Sequence, residues 1–277
     1  MKALNIVVRA LGVFLATVIF QALSEIVIPI QGPSIPHLAQ WAILSNALVT
    51  ATLTVLALRS DWRGWKLGAA VALIPMVIAA MNFLEGTVFL THTNLQWGRI
   101  FSVMLLPSAL TIPLWALLFG RRPKVPEHYR PLESKPSGER AWKFAVSDLS
   151  YLFLYYAAGT IIFPYVKDFY ATQHLPSAGT IVALQLLIRG PVFVVLCLAI
   201  TRMLGLSRMT GAVAVGAIFT LLSGVAPLLI PNPVFPDSVR WVHFFEVTSS
   251  NFVFGAIVGW LWGQPKLSHS PALAQAA

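Results

Sequence analysis

Residues 67–90 read LGAAVALIPMVIAAMNFLEGTVFL. As an α-helix rising about 1.5 Å per residue, this run is about 36 Å long, enough to cross a hydrocarbon layer of about 30 Å. It is apolar around its whole circumference, with Asn82 and Glu85 as its strongly polar members. A helix on the surface of a soluble core carries a polar face. This one has none, so lipid is the solvent that suits it.

The same pattern recurs on both sides, at 6–29, 38–58, 99–119, 145–166, 179–201, 209–230 and 241–262. Eight crossings follow, and the expected fold is all-α, a polytopic membrane helix bundle. Composition agrees: of 277 residues, 57% are hydrophobic and 10% charged, with mean hydropathy +0.75, where soluble domains carry about 25% charged residues. Pro/Gly-rich turns such as Gln31-Gly32-Pro33 and Pro231-Asn232-Pro233 punctuate the runs. Lys2 and Arg9 ahead of the first run resemble a signal peptide, but the apolar stretch continues to Ile30 without a small-residue cleavage site, so the first helix is expected to be retained.

Cytoplasmic loops of membrane proteins are enriched in Lys and Arg. With the N-terminus inside, fifteen basic residues fall on the cytoplasmic side, and only Arg99, Lys167 and Arg240 fall outside. The expected location is therefore a cell membrane, of inner-membrane type, with both termini cytoplasmic. Tryptophans gather at the predicted helix ends, Trp41, Trp97 and Trp241 outside and Trp62, Trp65, Trp142, Trp260 and Trp262 inside, where indole sits well in the headgroup layer. The net charge of +9 is spread over loop ends and does not imply nucleic acid.

The organisation reads as a first four-helix half at 1–120, a basic cytoplasmic loop at 121–143, a second four-helix half at 144–263 and a disordered tail at 264–277. Residues 53–69 can be laid on 196–212, pairing Arg59 with Arg202 and Gly68 with Gly211. Two halves of four helices each would be parallel repeats, related by an axis along the membrane normal.

Charges inside lipid are costly, about 2.5–3.5 kcal/mol each on insertion scales, and by default face protein or water. Four stand out within the runs, away from their cytoplasmic ends: Glu25, Glu85, Arg189 and Glu246. All fall in the outer half, where Asn46, Asn82, Gln185 and Asn251 lie at similar heights. Helical spacing collects them into stripes: Thr17, Gln21 and Glu25; Asn82 and Glu85; Gln185 and Arg189; His243, Glu246 and Ser250. Gly190-Pro191 follows Arg189 and should disturb the helix there.

The expectation is a polar chamber holding Glu25, Glu85, Arg189 and Glu246, with Arg189 paired to Glu85 or Glu246. Three carboxylates against one guanidinium cannot all ionise in a dry site, so the site would take a proton or a cation. The alternative is a buried ion pair that fixes helix register. His243 and Glu246, with Glu85 and His92, are the candidate metal ligands, although no HExxH or paired ExxH motif is present. Asp148 and Ser150 look like a cap on the fifth helix. The single cysteine, Cys197, allows no intrachain disulfide. No Walker loop, dinucleotide fingerprint or nucleophile elbow occurs, and nothing calls for a cofactor.

A transporter or permease-like protein for a small solute or cation is the leading reading. A membrane-embedded enzyme with an outward-facing site and a structural subunit of a membrane complex are the alternatives.

Overall fold

The computed structural model describes residues 3–29, 35–89, 97–120, 137–173, 175–231 and 235–264. Seven of its helices are long and apolar enough to cross a membrane, and a shorter apolar one completes the bundle. The chain is an all-α, multi-pass integral membrane protein.

The crossings are α1 (Ala3–Val27), α2 (Leu38–Arg59), α3 (Gly64–Phe89), α4 (Trp97–Leu110 continued by Ile112–Phe119), α5 (Ser137–Ala171), α6 (Ala178–Leu204), α7 (Arg208–Leu229) and α8 (Asp237–Trp262). The end at which α1 finishes and α2 begins is called the upper end here. Leu11, Leu15, Ile19, Phe153, Ile161, Leu187 and Val213 face outward, as lipid-facing positions require.

Three helices differ from the expected spans for identifiable reasons. α4 breaks at Thr111, where Pro113 has no N–H to offer the preceding turn and the Thr111 N–H is shared between the Pro107 and Ser108 carbonyls. α5 begins at Ser137, not near 145, and runs for 35 residues. Its polar first turns escape a hydropathy window, yet Lys143 pairs with Glu139 at 2.8 Å, one turn away on the same face. In α6 and α7 one turn each is widened to i→i−5 bonding: the Gly190 N–H donates to Gln185 O, and the Ala226 N–H to Leu221 O. Pro191 and Pro227 follow directly. Such π turns absorb the missing donor and re-aim the side chains around them.

Within the first half α1 packs on α2 and α4, and α3 on α4; within the second, α5 packs on α6 and α8, and α7 on α8. The halves meet where α2 and α3 each touch α6 and α7. At the lower end the Asp61 N–H donates to Met203 O at 2.8 Å, joining the α2–α3 turn to the α6–α7 turn. The Arg208 N–H donates to Gln264 O at 3.0 Å, and the Gln264 N–H returns to Leu206 O at 3.2 Å. Gly68 lies against Ala116 of α4, and Gly211 against Gly259 of α8.

The lower half is tightly packed. At its centre Tyr151, Phe193, Phe219 and Phe254, one ring each from α5, α6, α7 and α8, form a closed edge-to-face circuit with neighbouring centroids 5.2–5.5 Å apart. Aromatic rings prefer this geometry. The three phenylalanines are almost completely inaccessible.

A charged chamber above an aromatic floor

α6 brings the first charged group to the site. Its π turn sets Gln185 and Arg189 side by side, with Arg189 only 4% exposed and Gln185 fully buried. Arg189 Nη1 pairs with Glu85 Oε1 at 2.5 Å and donates to Gln185 Oε1 at 3.0 Å; Nη2 donates to Asn82 Oδ1 at 3.1 Å. Gln185 Nε2 donates to the same Glu85 oxygen at 2.9 Å. The network continues into α7 and α8: Asn82 Nδ2 donates to Ser223 O at 3.4 Å, and Asn251 Nδ2 to Ser223 Oγ at 2.8 Å. The guanidinium carbon lies 5.2 Å from the Phe193 ring centre and 6.0 Å from that of Tyr151, so the ion pair sits directly on the aromatic circuit.

A second polar array joins α8 to α5. His243 Nδ1 meets Glu246 Oε2 at 2.5 Å, and His243 Nε2 meets the Tyr170 hydroxyl at 2.9 Å. Between the arrays is a chamber of about 530 Å³, lined by α3, α5, α7 and α8 and the upper part of α6. Asn82, Glu85, Arg189, His243, Glu246 and Asn251 all border it. Tyr151, Tyr155, Tyr156 and Tyr170 of α5 give it an aromatic wall.

Compared with models of known families, with curated proteins and with solved structures, the chain matches none.

The structure thus brings Glu85, Arg189, Gln185, Asn82, Asn251, His243 and Glu246 together, and of the two glutamates it pairs Glu85 with Arg189. It does not bring Glu25 or Asn46. Asn46 Nδ2 donates to Gln21 Oε1 at 2.9 Å, and Gln21 Nε2 to Glu25 Oε1 at 3.3 Å. This relay occupies the α1–α2 seam, away from the chamber, and Glu25 is exposed at the upper end of α1. The expected four-charge chamber is therefore corrected to three. Among the described residues α1 packs chiefly on α2 and α4, which holds its polar stripe away from the chamber.

His92 lies outside the described residues. Among the described residues no three His, Cys, Asp or Glu side chains come close enough to share an ion. Both ring nitrogens of His243 have protein partners, so the His243–Glu246 spacing builds a hydrogen-bonded chain through to Tyr170 rather than an open ligand pair.

Two features escaped the sequence reading. Five of the six tyrosines fall in one helix, a bias that could have marked α5 as a wall of the site. Asp148 is no cap, because α5 begins three turns earlier. It points at Gly190 beside the π turn, and its Oδ1 is buried without a hydrogen-bond partner. A Cβ on Gly190 would stand 2.1 Å from that oxygen, so only glycine admits the carboxylate.

Proposed function

We propose that the chain is a permease-like carrier that binds a small solute in the chamber between Glu85–Arg189 and His243–Glu246. The observation that carries this reading is a cavity of about 530 Å³ bordered by intramembrane charges and floored by four interlocked rings. Ligand sites of about 300–1,000 Å³ with a few convergent polar groups are the usual form of a solute pocket. A floor that blocks the lower half argues against a standing pore and for alternating access. The upper end is taken as extracytoplasmic, in a cell membrane, because fifteen of nineteen Lys and Arg residues accompany the lower end and the two termini.

The two halves form parallel repeats in this reading. The matched places of Gly68 on Ala116 and Gly211 on Gly259 support it, because one offset of the sequence superposes both partners of each pair. Rocking of one repeat against the other is how many carriers exchange access. The contacts of α2 and α3 with α6 and α7 are the surfaces on which it would occur.

The test is uptake into proteoliposomes across a panel of radiolabelled amines, amino acids, sugars and inorganic cations. At least one solute should enter faster than into empty liposomes, and Glu85→Gln and Glu246→Gln should each abolish most of that rate. Uptake unchanged in both variants contradicts the proposal.

One observation favours a second reading, a membrane-embedded enzyme. The order carboxylate, imidazole, phenol in Glu246, His243 and Tyr170 is suited to acid/base catalysis. Mass spectrometry of the accumulated solute separates the two readings: a carrier returns it unchanged, and an enzyme returns a product that Tyr170→Phe suppresses.

A further inference from the structure

We infer that the chamber takes an organic cation, an amine or onium ion with apolar substituents; the inference names the ligand class of the carrier proposed above. The charge on its walls is the first argument. Arg189 is the one Lys or Arg side chain bordering the chamber among the described residues, and its terminal nitrogens are already engaged by Glu85, Gln185 and Asn82 and its guanidinium covered by two rings. Its remaining donor, Nε, has no partner but is itself buried, so an arriving anion would find no accessible donor on the guanidinium.

The carboxylates have unused capacity. Glu85 receives both its contacts on Oε1, and Oε2 has no partner among the described residues. Glu246 holds His243 through Oε2. Its Oε1 has no partner among the described residues and faces Gly159, where a Cβ would come within 3.7 Å. That glycine leaves open space in front of the acceptor.

The second argument is the opposite wall. Tyr151, Tyr155 and Tyr156 border the chamber, and the negative potential of an aromatic face attracts cations within about 6 Å of the ring centre, as the Arg189 guanidinium over Tyr151 already shows. Tyr151 is 5% exposed and borders the chamber, yet its hydroxyl has no hydrogen-bond partner among the described residues. An unpartnered hydroxyl on the wall of a chamber is open to a ligand or to water.

Size and polarity exclude other classes. A bare metal ion needs several converging oxygens at about 2–2.6 Å, and a chamber of about 530 Å³ is far too wide for one. A sugar needs a dense set of donors and acceptors, whereas much of this lining is Phe89, Ile162, Phe163, Val166, Leu175 and Ile181. Apolar substituents suit those side chains.

The test uses the full chain in nanodiscs, with radiolabelled tetraphenylphosphonium in equilibrium dialysis against empty nanodiscs. Tetraphenylborate, of the same shape and opposite charge, is the competitor. Saturable binding of one phosphonium per chain is expected, with no competition by the borate. Glu246→Gln should weaken it by about tenfold or more, Tyr155→Leu likewise, and Tyr155→Phe by less than about threefold because the π face remains. Each variant is first matched to the parent chain by thermal unfolding.

Absence of saturable phosphonium binding, equal binding of the borate, or affinity unchanged in both Glu246→Gln and Tyr155→Leu overturns the inference. The carrier reading fails separately. Specific phosphonium binding without counterflow in proteoliposomes removes transport and leaves the ligand class, whereas uptake of an uncharged solute without phosphonium binding does the reverse.

Discussion

Arg189 in the π turn of α6 grips Glu85 of α3 at 2.5 Å, so a buried charge pair ties the second half of the chain to the first. Removing one partner of a buried pair strands the other at a cost of about 3–5 kcal/mol, while replacing both by apolar residues costs far less. Arg189→Leu should therefore lower the melting temperature in detergent micelles markedly, and the Arg189→Leu/Glu85→Leu double variant should recover most of the loss. Equal melting of the single variant and the parent chain would show that the pair contributes nothing to stability.

The aromatic circuit predicts a leak. Phe219 touches Phe193 and Phe254 and is fully buried. Phe219→Ala leaves a hole at the junction of α6, α7 and α8, and the surroundings relax only partly around such a hole. Proteoliposomes carrying this variant should dissipate an imposed proton gradient several-fold faster than those carrying the parent chain. Unchanged dissipation would mean that the seal lies elsewhere.

Gly190 and Asp148 should behave as a coupled pair. Gly190→Ala drives a methyl into the Asp148 carboxylate, and it also crowds Gln185 O at 2.8 Å. The single variant is expected to melt lower, and adding Asp148→Ala to restore part of the loss, since residues in contact are not additive. Strict additivity in a double-mutant cycle would refute the coupling.

Packing of α7 on α8 depends on small residues that let the backbones meet, as is common in membrane helices. A Cβ on Gly255 would stand 2.9 Å from the Gly216 Cα, and one on Gly259 2.5 Å from Gly211 O. Gly255→Leu should abolish the monodisperse peak in size-exclusion chromatography. Gly12→Leu should leave it unchanged, because nothing lies within 4 Å of a Cβ at that position.

The crossings were legible in the sequence because lipid demands long apolar runs, and these survive any detail of packing. Helix ends were less so. The polar turns at 137–144 and the proline break at Thr111 depend on local pairing and on a missing donor rather than on hydropathy. Within the site, spacing along one helix correctly joined Gln185 to Arg189 and His243 to Glu246. It could not say which helices meet. Glu25 looked equivalent to Glu85 in depth and charge, and only the docking of α1 on α4 separates it from the chamber. The tyrosines of α5 were passed over because an aromatic in an apolar run carries no charge to mark it.

The carrier proposed above requires a chamber that is wet from above and sealed below, and labelling of one position tests that claim most directly. Ser250 borders the chamber, and the single native thiol, Cys197, is fully buried. Ser250→Cys in membranes of known orientation should react with a membrane-impermeant maleimide added to the extracytoplasmic face, and should not react from the cytoplasmic face. Reaction from neither side, in a variant that still unfolds cooperatively, would contradict the claim and leave the charges of this bundle as structural ties.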